Sequence, residues 1–522
     1  MDVASVAVFA TASVVAVLVV SGIGSRFHLP TPLLLVLAGG LGSLLPALST
    51  FELQPDLILY AVLPPLLYAA AVRTPLADIR ASGDSIALLS IYLVTCTVAL
   101  MGLVSWWLVP GLSLAAALAF GAIVAPTDAV AVSALAGRSR LPRRIVEVLE
   151  AESLLNDATA LVALNAAIAA LAITVKPLDI AANFLFVVAV GLAVGIAVGL
   201  TVAAVRKRVR SSTLDTGLAL TVPFLAFLPA EALGGSGILA VVTAGLLLGE
   251  RAPRSQTLEA RIAEATIWRT VRFLLENAVF FLIGLSVSGL VRRLAETHIA
   301  VWTVIGLSAV VLAALAAIRF ANVMATVAVY RFGPARLRNR SWTWGTGVVV
   351  SSAGMRGVVT LAAAFLLPAE TPQRELLQFL ALVVVVGTLL EGLALPTIVR
   401  WARIDAEGPL DSEDERQQLQ SEIRNAGLRR LSEEVIPSEL EAARQRLEVE
   451  ITTEASATAV DTDLTRSSLD RASLALRLRM LESQRVAVFE ARSAGRYRAS
   501  ITRTALAMLD VEEAAARRAT LD

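Results

Sequence analysis

The sequence predicts an all-α polytopic membrane protein with about thirteen transmembrane helices, followed by a helical cytosolic C-terminal domain. Of its 522 residues, 56% are hydrophobic, and the mean hydropathy of +0.72 is too high for a soluble chain of this length. The apolar residues collect in long stretches, whereas charged residues crowd into short loops and into the region after Arg403. Stretches of this kind are typical of helices that cross a bilayer.

Apolar stretches bounded by glycine, proline and charged residues mark the individual spans. The first begins after Asp2 rather than after a basic segment and lacks a cleavage site, so we interpret it as a retained membrane helix. The thirteen expected spans are 3–23, 32–49, 55–72, 83–108, 112–136, 144–174, 181–205, 215–230, 236–249, 272–291, 299–330, 342–367 and 375–400.

The basic residues predict how these spans are oriented. Lysine and arginine crowd into the loops that follow the odd-numbered spans, whereas the alternate loops hold only Lys176, Arg292, Arg293 and Arg374. Because short cytoplasmic loops collect basic residues, we expect the N-terminus outside the cell membrane and the C-terminus in the cytoplasm. The asymmetry requires an odd number of spans, which supports thirteen.

Two spans are interrupted by residues that weaken a helix. The fifth contains Pro126-Thr127-Asp128, and the twelfth contains Ser351-Ser352-Ala353-Gly354-Met355-Arg356-Gly357. If the seventh span is a linker, both interruptions fall at the fifth position of a six-span unit. This layout predicts two inverted six-helix repeats with a functional site near the midplane of the membrane.

The chain therefore divides into a transmembrane domain, residues 1–403, and a cytoplasmic tail, residues 404–522. In the tail, apolar residues recur at helical spacing among charged ones, which predicts helices rather than a further membrane segment. Partner binding, dimerisation and a simple solvated tail all remain open, and no regulatory partner is identified. The expected tail helices are 412–431, 437–451, 461–492 and 500–521.

Composition also excludes several classes of function. A single cysteine, Cys96, allows no internal disulfide, and two histidines, His28 and His298, make no zinc cluster. The tail has no glycine-rich phosphate loop, so we expect no nucleotide or other cofactor. A net charge of +1 gives no indication of nucleic-acid binding, and the expected partner is the lipid bilayer.

Three carboxylates, those of Asp128, Glu152 and Asp157, lie in apolar sequence. A charge at that depth costs roughly 3 kcal/mol even on a lenient insertion scale, so we expect these residues to be functional. On a helix, the side chains of Glu152, Ser153, Asn156 and Asp157 cover an arc of about 140° and can face one cavity. Asp128 follows a proline, which frees a backbone carbonyl beside its carboxylate.

Oxygen ligands of this kind suit a small alkali cation. A buried site that can hold a cation or a proton, but not both, is the core of an exchanger. Arg356 carries a permanent charge in the interrupted twelfth span, and Glu152 is its candidate partner. Asp128 and Asp157 then remain to bind the cation, with Asn156 as a neutral amide, and one-for-one exchange with H⁺ would be electroneutral.

Five motifs occur in order along residues 1–403, and together they resemble the sodium/proton exchangers of the monovalent cation:proton antiporter family, in its electroneutral branch. They are Leu63-Pro64-Pro65-Leu66-Leu67-Tyr68, Ala125-Pro126-Thr127-Asp128-Ala129-Val130, Glu152-Ser153-Leu154-Leu155-Asn156-Asp157, Phe280-Phe281-Leu282-Ile283-Gly284 and Gly354-Met355-Arg356-Gly357.

The resemblance implies a homodimer with a dimerisation domain and a core domain, crossing unwound helices, and alternating access by movement of the core. It also implies that Asp157 is the main ion and proton carrier. Thr127, Asp128 and Ser153 would help to hold the ion, and Glu152 would pair with Arg356. Ala69 stands where prokaryotic relatives often carry a glutamate, so a potassium/proton exchanger remains an alternative.

Two functions of other classes fit the sequence less well. A cation channel and an intramembrane aspartyl protease would also place charges in the membrane, although no filter-like segment or Gly-x-Gly-Asp context is present. Glu152 and Arg356 could form a purely structural pair. We expect Arg319 and Glu391 to pair between helices or to snorkel, and Glu276 to lie at the membrane interface.

Overall fold

The protein folds into two compact helical units, which comprise Met1–Ile404 and Asp405–Asp522 in this computed structural model. The structure describes the greater part of each unit, and the helices and contacts of both units are those of the described residues. These are 3–27, 30–46, 48, 54, 56–74, 92–128, 143–172, 177–333, 342–402, 409–433, 441, 444–445, 447–448, 468–493, 496–497 and 499–518.

In its described residues the first unit contains fifteen α-helices, and a π-helical turn at Leu57–Val62 leads into the third. They are α1 (Val3–Phe27), α2 (Thr31–Gly42), α3 (Leu63–Ala71), α4 (Leu93–Leu108), α5 (Leu114–Val124), α6 (Arg143–Ala172), α7 (Pro177–Arg206), α8 (Ser212–Ala232), α9 (Gly237–Ser255), α10 (Leu258–Glu296), α11 (Val301–Phe332), α12 (Trp344–Ser352), α13 (Val358–Phe365), α14 (Arg374–Gly392) and α15 (Leu395–Trp401).

Helix packing sorts the first unit into two bundles. Bundle I comprises α1–α3 and α7–α10, in which α2 packs along α10 and α7 packs along α9. Bundle II comprises α4–α6 and α11–α15, in which α5 packs between α4 and α6, and α11 packs on α4, α12 and α14. The bundles meet where α10 contacts α13 and α14, and where α6 contacts α3 and α9.

Six helices are long and apolar enough to cross a bilayer, which makes the chain a multi-pass membrane protein as expected. The thirteen-span count and the inverted repeat stay predictions. Residues 83–91, 129–136 and most of 437–451 fall in predicted elements but lie outside the described residues. The six helical segments are Ala7–Phe27, Ala182–Arg206, Ser212–Ala232, Glu259–Glu296, Val301–Phe332 and Arg374–Gly392.

The tenth and thirteenth predicted spans are among those that differ from the observed helices. The tenth was expected at 272–291, but α10 extends over 39 residues because its polar first turns continue the helix beyond the apolar segment. The thirteenth was expected as one helix at 375–400, but it divides into α14 and α15 at Leu393–Ala394.

Five helices of the first unit begin with a hydroxyl cap. In each, the side-chain oxygen accepts from the backbone N–H three residues later, and so satisfies one of the amides left free at a helix start. These caps fix where α5, α8, α9, α10 and α12 begin, and they are Ser113, Ser211, Ser236, Thr257 and Thr343.

A buried polar cluster joins four helices of bundle I. Arg206, at the end of α7, lies 3.2 Å from Glu264 Oε1 of α10 and 3.4 Å from Asp215 Oδ1 of α8. The Gln256 amide donates to both acids, at 2.6 and 2.5 Å. Since removing one partner of a buried charge pair is costly, this cluster fixes the helix ends relative to one another.

The second unit has three long helices, α16 (Pro409–Glu433), α17 (Ser468–Ser493) and α18 (Ala499–Arg518). Arg485 on α17 pairs with Asp510 at 2.6 Å and with Glu513 at 2.5 Å, both on α18. Beneath these pairs lies a small apolar core that holds the helices together, formed by Leu431, Leu447, Leu476, Met480, Leu481, Val488 and Leu509.

Two glycines set the distance between α2 and α10. A Cβ at Gly284 would collide with the Val36 carbonyl oxygen and lie 2.9 Å from the Cα of Gly39. A Cβ at Gly39 would meet α10 in the same way, at the Phe281 carbonyl oxygen. Small residues let membrane helices approach at backbone distance, so this crossing depends on both.

We expect Gly284→Ala to destabilise the protein by about 1–3 kcal/mol through overpacking at this crossing. The matched control is Gly306→Ala on α11, where a Cβ would meet nothing within 4 Å. Thermal unfolding of the purified protein in detergent measures both. Equal melting temperatures for the two variants would contradict the close approach.

Candidate functional site

The site is built where two non-helical stretches meet inside bundle II. Helix α5 ends at Val124 and is followed by the non-helical residues 125–128, and α12 and α13 are separated by the break at 353–357. The N–H of Asp128 donates to the Met355 carbonyl at 2.8 Å, and Arg356 Nε donates to the Val124 carbonyl at 2.9 Å. Each break therefore satisfies backbone groups that the other leaves free.

Helix α14 also holds the break at 353–357 in place. The backbone N–H of Arg356 donates to Thr388 Oγ1 of α14 at 2.9 Å, and its Nη1 donates to the Gly354 carbonyl. Arg356 is 1% exposed, so its guanidinium serves mainly to bond backbone oxygens in the interior. The interruption predicted at Ser351–Gly357 is present, although Ser351 and Ser352 still belong to α12.

Asp128 lies directly against Gly357, at the start of α13. A Cβ at Gly357 would occupy the position of the Asp128 carboxylate. The positive end of a helix favours a negative charge, so this location suits an ionised carboxylate. Asp128 is half-buried, whereas its neighbour Thr127 is 5% exposed.

Glu152 is the centre of a buried hydrogen-bond cluster. Its Oε1 accepts from Arg319 Nη1 at 3.0 Å, from Asn156 Nδ2 at 3.1 Å and from Thr127 Oγ1 at 3.4 Å. Asn156 Nδ2 also donates to Thr127 Oγ1 at 3.2 Å. The cluster joins α6, α11 and the first break, and all four residues are at most 5% exposed.

The ion pair of Glu152 is formed with Arg319, which corrects the expected pairing with Arg356. Arg319 also donates to the carbonyls of Ser351 at 3.2 Å and Val350 at 3.1 Å, so it caps the last turn of α12 while it neutralises Glu152. Arg356 remains an electrostatic neighbour of Glu152 without a direct bond. Pairing between helices, expected for Arg319, is therefore what the structure contains.

Asp157 takes no part in the hydrogen bonds of this cluster among the described residues. It is 8% exposed, and within the described residues no group donates a hydrogen bond to its carboxylate. The charges of Asp128, Arg272 and Glu276 act on it. Asp157 and Asp128 are thus electrostatic neighbours, and Arg272 and Glu276, which the sequence interpretation had not placed there, act on Asp157 as well.

These two residues form an ion pair on α10. Arg272 Nε lies 2.7 Å from Glu276 Oε1, one helical turn away. Glu276 is 9% exposed and lies within the protein, and its expected location at the level of the membrane interface stays a prediction. Opposite charges at i and i+4 in an apolar segment were the available sequence signal.

The remaining predicted residues are also located. Ser153 is half-buried on α6, one turn before Asp157. Ala69 on α3 is fully buried and presents only a methyl group. Glu391 is exposed at the protein surface on α14, and its charge acts on Arg356.

Comparisons with known proteins agree with one another. A family model described as the transmembrane sodium/hydrogen exchanger matches residues 12–401. An uncharacterised Na⁺/H⁺ exchanger of Mycobacterium tuberculosis is 33% identical over 75% of this chain and 74% of its own. A sodium, potassium, lithium and rubidium/H⁺ antiporter of Bacillus subtilis is 33% identical, over 72% of this chain and 58% of its own.

The fold has a counterpart among solved structures. The sodium proton antiporter MjNhaP1 from Methanocaldococcus jannaschii matches 78% of this chain and 100% of its own, with a TM-score of 0.58. Its sequence identity is 18%, so this likeness concerns the fold alone.

We expect Arg319→Gln to lower the free energy of unfolding by about 3–5 kcal/mol, because it leaves the Glu152 carboxylate buried without its partner. Adding Glu152→Gln should recover much of that loss. Arg356→Gln should not be recovered by Glu152→Gln, because Arg356 bonds backbone oxygens. Thermal unfolding of the single and double variants measures both cycles, and equal recovery in the two would contradict the assignment.

Proposed function

Because the chain belongs to the sodium/hydrogen exchanger family, we propose that it is a secondary active antiporter that exchanges Na⁺ for H⁺ across the cell membrane. Family membership confirms the resemblance drawn from the motifs, and it favours transport over the channel and protease alternatives. The protein is accordingly a transporter and not an enzyme.

One observation carries the assignment to particular residues: Asp157 is a buried carboxylate without a hydrogen-bond donor among the described residues, and Asp128 acts on it. Two carboxylates that share a poorly solvated site need an accompanying positive charge. A cation or a proton can supply it in turn, and that competition couples the two ions.

The ion would be held by oxygen atoms around the first break. Asp157 and Asp128 supply carboxylates, and Thr127 and Ser153 supply hydroxyl groups. The Oδ1 atom of Asn156 is buried and has no hydrogen-bond partner in the described part of the chain, so it is a further oxygen of the same kind. Such hard ligands suit an alkali cation.

Glu152, Arg319 and Arg356 have a structural role in this proposal. Their hydrogen bonds hold α6, α11 and the two breaks together, and leave Asp157 and Asp128 to exchange the ions. One monovalent cation would replace one proton, so that transport is electroneutral.

The two bundles support alternating access. Bundle II carries Asp128 and Asp157 and would move as the core domain, and bundle I would form the dimerisation domain of a homodimer. The N-terminus would lie outside and the C-terminal tail, residues 404–522, in the cytoplasm, and the distribution of basic residues among the loops supports this orientation.

A K⁺/H⁺ exchanger on the same scaffold is the second candidate. It is favoured by two observations: Ala69 provides no side-chain ligand, and the Bacillus subtilis relative is named for potassium, lithium and rubidium as well as sodium. An ion series on the purified protein separates these substrates.

Asp157→Asn should abolish exchange, because an amide can neither neutralise a cation nor take up and release a proton. The measurement is proton movement in proteoliposomes with a pH gradient and a clamped membrane potential, on addition of Na⁺, Li⁺ or K⁺. Glu152→Gln, which should lower folded yield but keep exchange per folded molecule, is the control. Exchange by Asp157→Asn at the wild-type rate would remove the carrier assignment.

Gly357→Ala should reduce exchange at least tenfold by displacing the Asp128 carboxylate. The φ of −135° at Gly357 suits any residue, so the contact with Asp128 is what opposes the added methyl. The same liposome assay applies, with Gly306→Ala as the matched control. A Gly357→Ala protein that exchanges like wild type would show that the Asp128 position is not critical.

A further inference from the structure

The ion pair between Arg272 and Glu276 is not used by the mechanism above. The two residues lie one turn apart on α10, which belongs to bundle I and contacts α13 and α14 of bundle II. The Arg272 side chain is 25% exposed and that of Glu276 is 11% exposed. A charged pair in a membrane helix is expensive, so it calls for an explanation beyond packing.

The charges of this pair reach both carboxylates of the site. Arg272 and Glu276 act on Asp157, and Glu276 also interacts with Asp128 and with Arg73 at the end of α3. The carboxylates of Asp128 and Asp157 belong to bundle II, whereas Arg272 and Glu276 belong to bundle I. The electrostatic environment of the ion therefore includes groups from both sides of the bundle boundary.

We propose that Glu276 is a third carboxylate of the cation pathway, supplied by bundle I, and that Arg272 is the fixed positive charge that holds it. This inference rests on the proposed cation exchange and names a further residue that sets cation affinity. Glu276 attracts the cation toward Asp157 and Asp128, and Arg272 limits that attraction by bonding the Glu276 carboxylate.

The charge of Arg272 is permanent, whereas the charge brought by the transported ion is not. A guanidinium stays protonated in proteins, so the charge of Arg272 is present throughout the transport cycle, whereas the transported cation comes and goes. Removing Glu276 would leave Arg272 to repel the cation. Removing Arg272 would leave Glu276 to attract it. The two substitutions must therefore change cation affinity in opposite directions.

The test measures the apparent KM for Na⁺ in proteoliposomes at alkaline pH, where competing protons are scarce. Glu276→Gln should raise this KM about five- to tenfold, and Arg272→Gln should lower it by a similar factor. The double variant should return close to the wild-type value. A purely structural pair would instead lower the yield of both variants and leave the KM of the folded protein unchanged.

Two variants control for charge loss elsewhere in bundle I. Glu231→Gln removes a half-buried acid on α8 whose Oε1 accepts from Gly237 N–H at 2.9 Å, and Arg269→Gln removes an exposed charge on α10. Both should keep the KM within twofold of wild type.

If Glu276→Gln does not fold, Glu276→Asp takes its place. It keeps the charge and should give a KM closer to wild type than to a fivefold increase.

The outcomes separate this inference from the proposed function. Absence of cation-driven proton movement in the wild type would overturn the exchanger itself. The role of the pair alone would be overturned if the wild type exchanges, Asp157→Asn does not, and Glu276→Gln and Arg272→Gln fail to shift the KM in opposite directions. That failure means that both KM values stay within twofold of wild type or that both shift the same way. Opposite shifts would support it.

Discussion

Everything at the site depends on one constraint: two helices end inside the membrane-spanning unit, where free backbone groups find no water. The breaks at 125–128 and 353–357 meet this constraint largely through each other, by the bonds of Asp128 N–H and the Arg356 side chain. Mutual satisfaction of this kind requires the breaks to lie together. The hydrogen bonds between the two breaks are therefore sufficient to bring the carboxylate of Asp128 to the start of α13.

The two buried arginines serve the same constraint in different ways. Arg319 bonds the carbonyls at the end of α12 and also neutralises Glu152, while Arg356 bonds carbonyls on both breaks. Neither guanidinium can lose its proton to escape burial. Their permanent charges explain why an acid such as Glu152 is retained so close to Asp157 without having to carry an ion.

Local chemistry made much of this predictable from sequence. Pro126 and the glycines at 354 and 357 act within one turn of the chain, so the positions of the breaks followed directly. The partner of Glu152 did not follow, because Arg319 lies in an uninterrupted apolar helix and its pairing depends on tertiary packing. The length of α10 was missed because hydropathy marks the apolar part of a helix and not its end.

The charges around the site also bear on the number of ions exchanged. Four carboxylates, those of Asp128, Glu152, Asp157 and Glu276, lie with three guanidinium groups, those of Arg272, Arg319 and Arg356. With every acid ionised, this set carries one negative charge in excess. Extending it to the next described neighbours, Glu391 and Arg73, adds one charge of each sign and leaves the excess unchanged. A single monovalent cation, or a single proton, makes the buried set neutral. An empty, fully ionised site would be the costly state, so the alternating access proposed above would be easiest with one ion or the other bound, as one-for-one exchange requires.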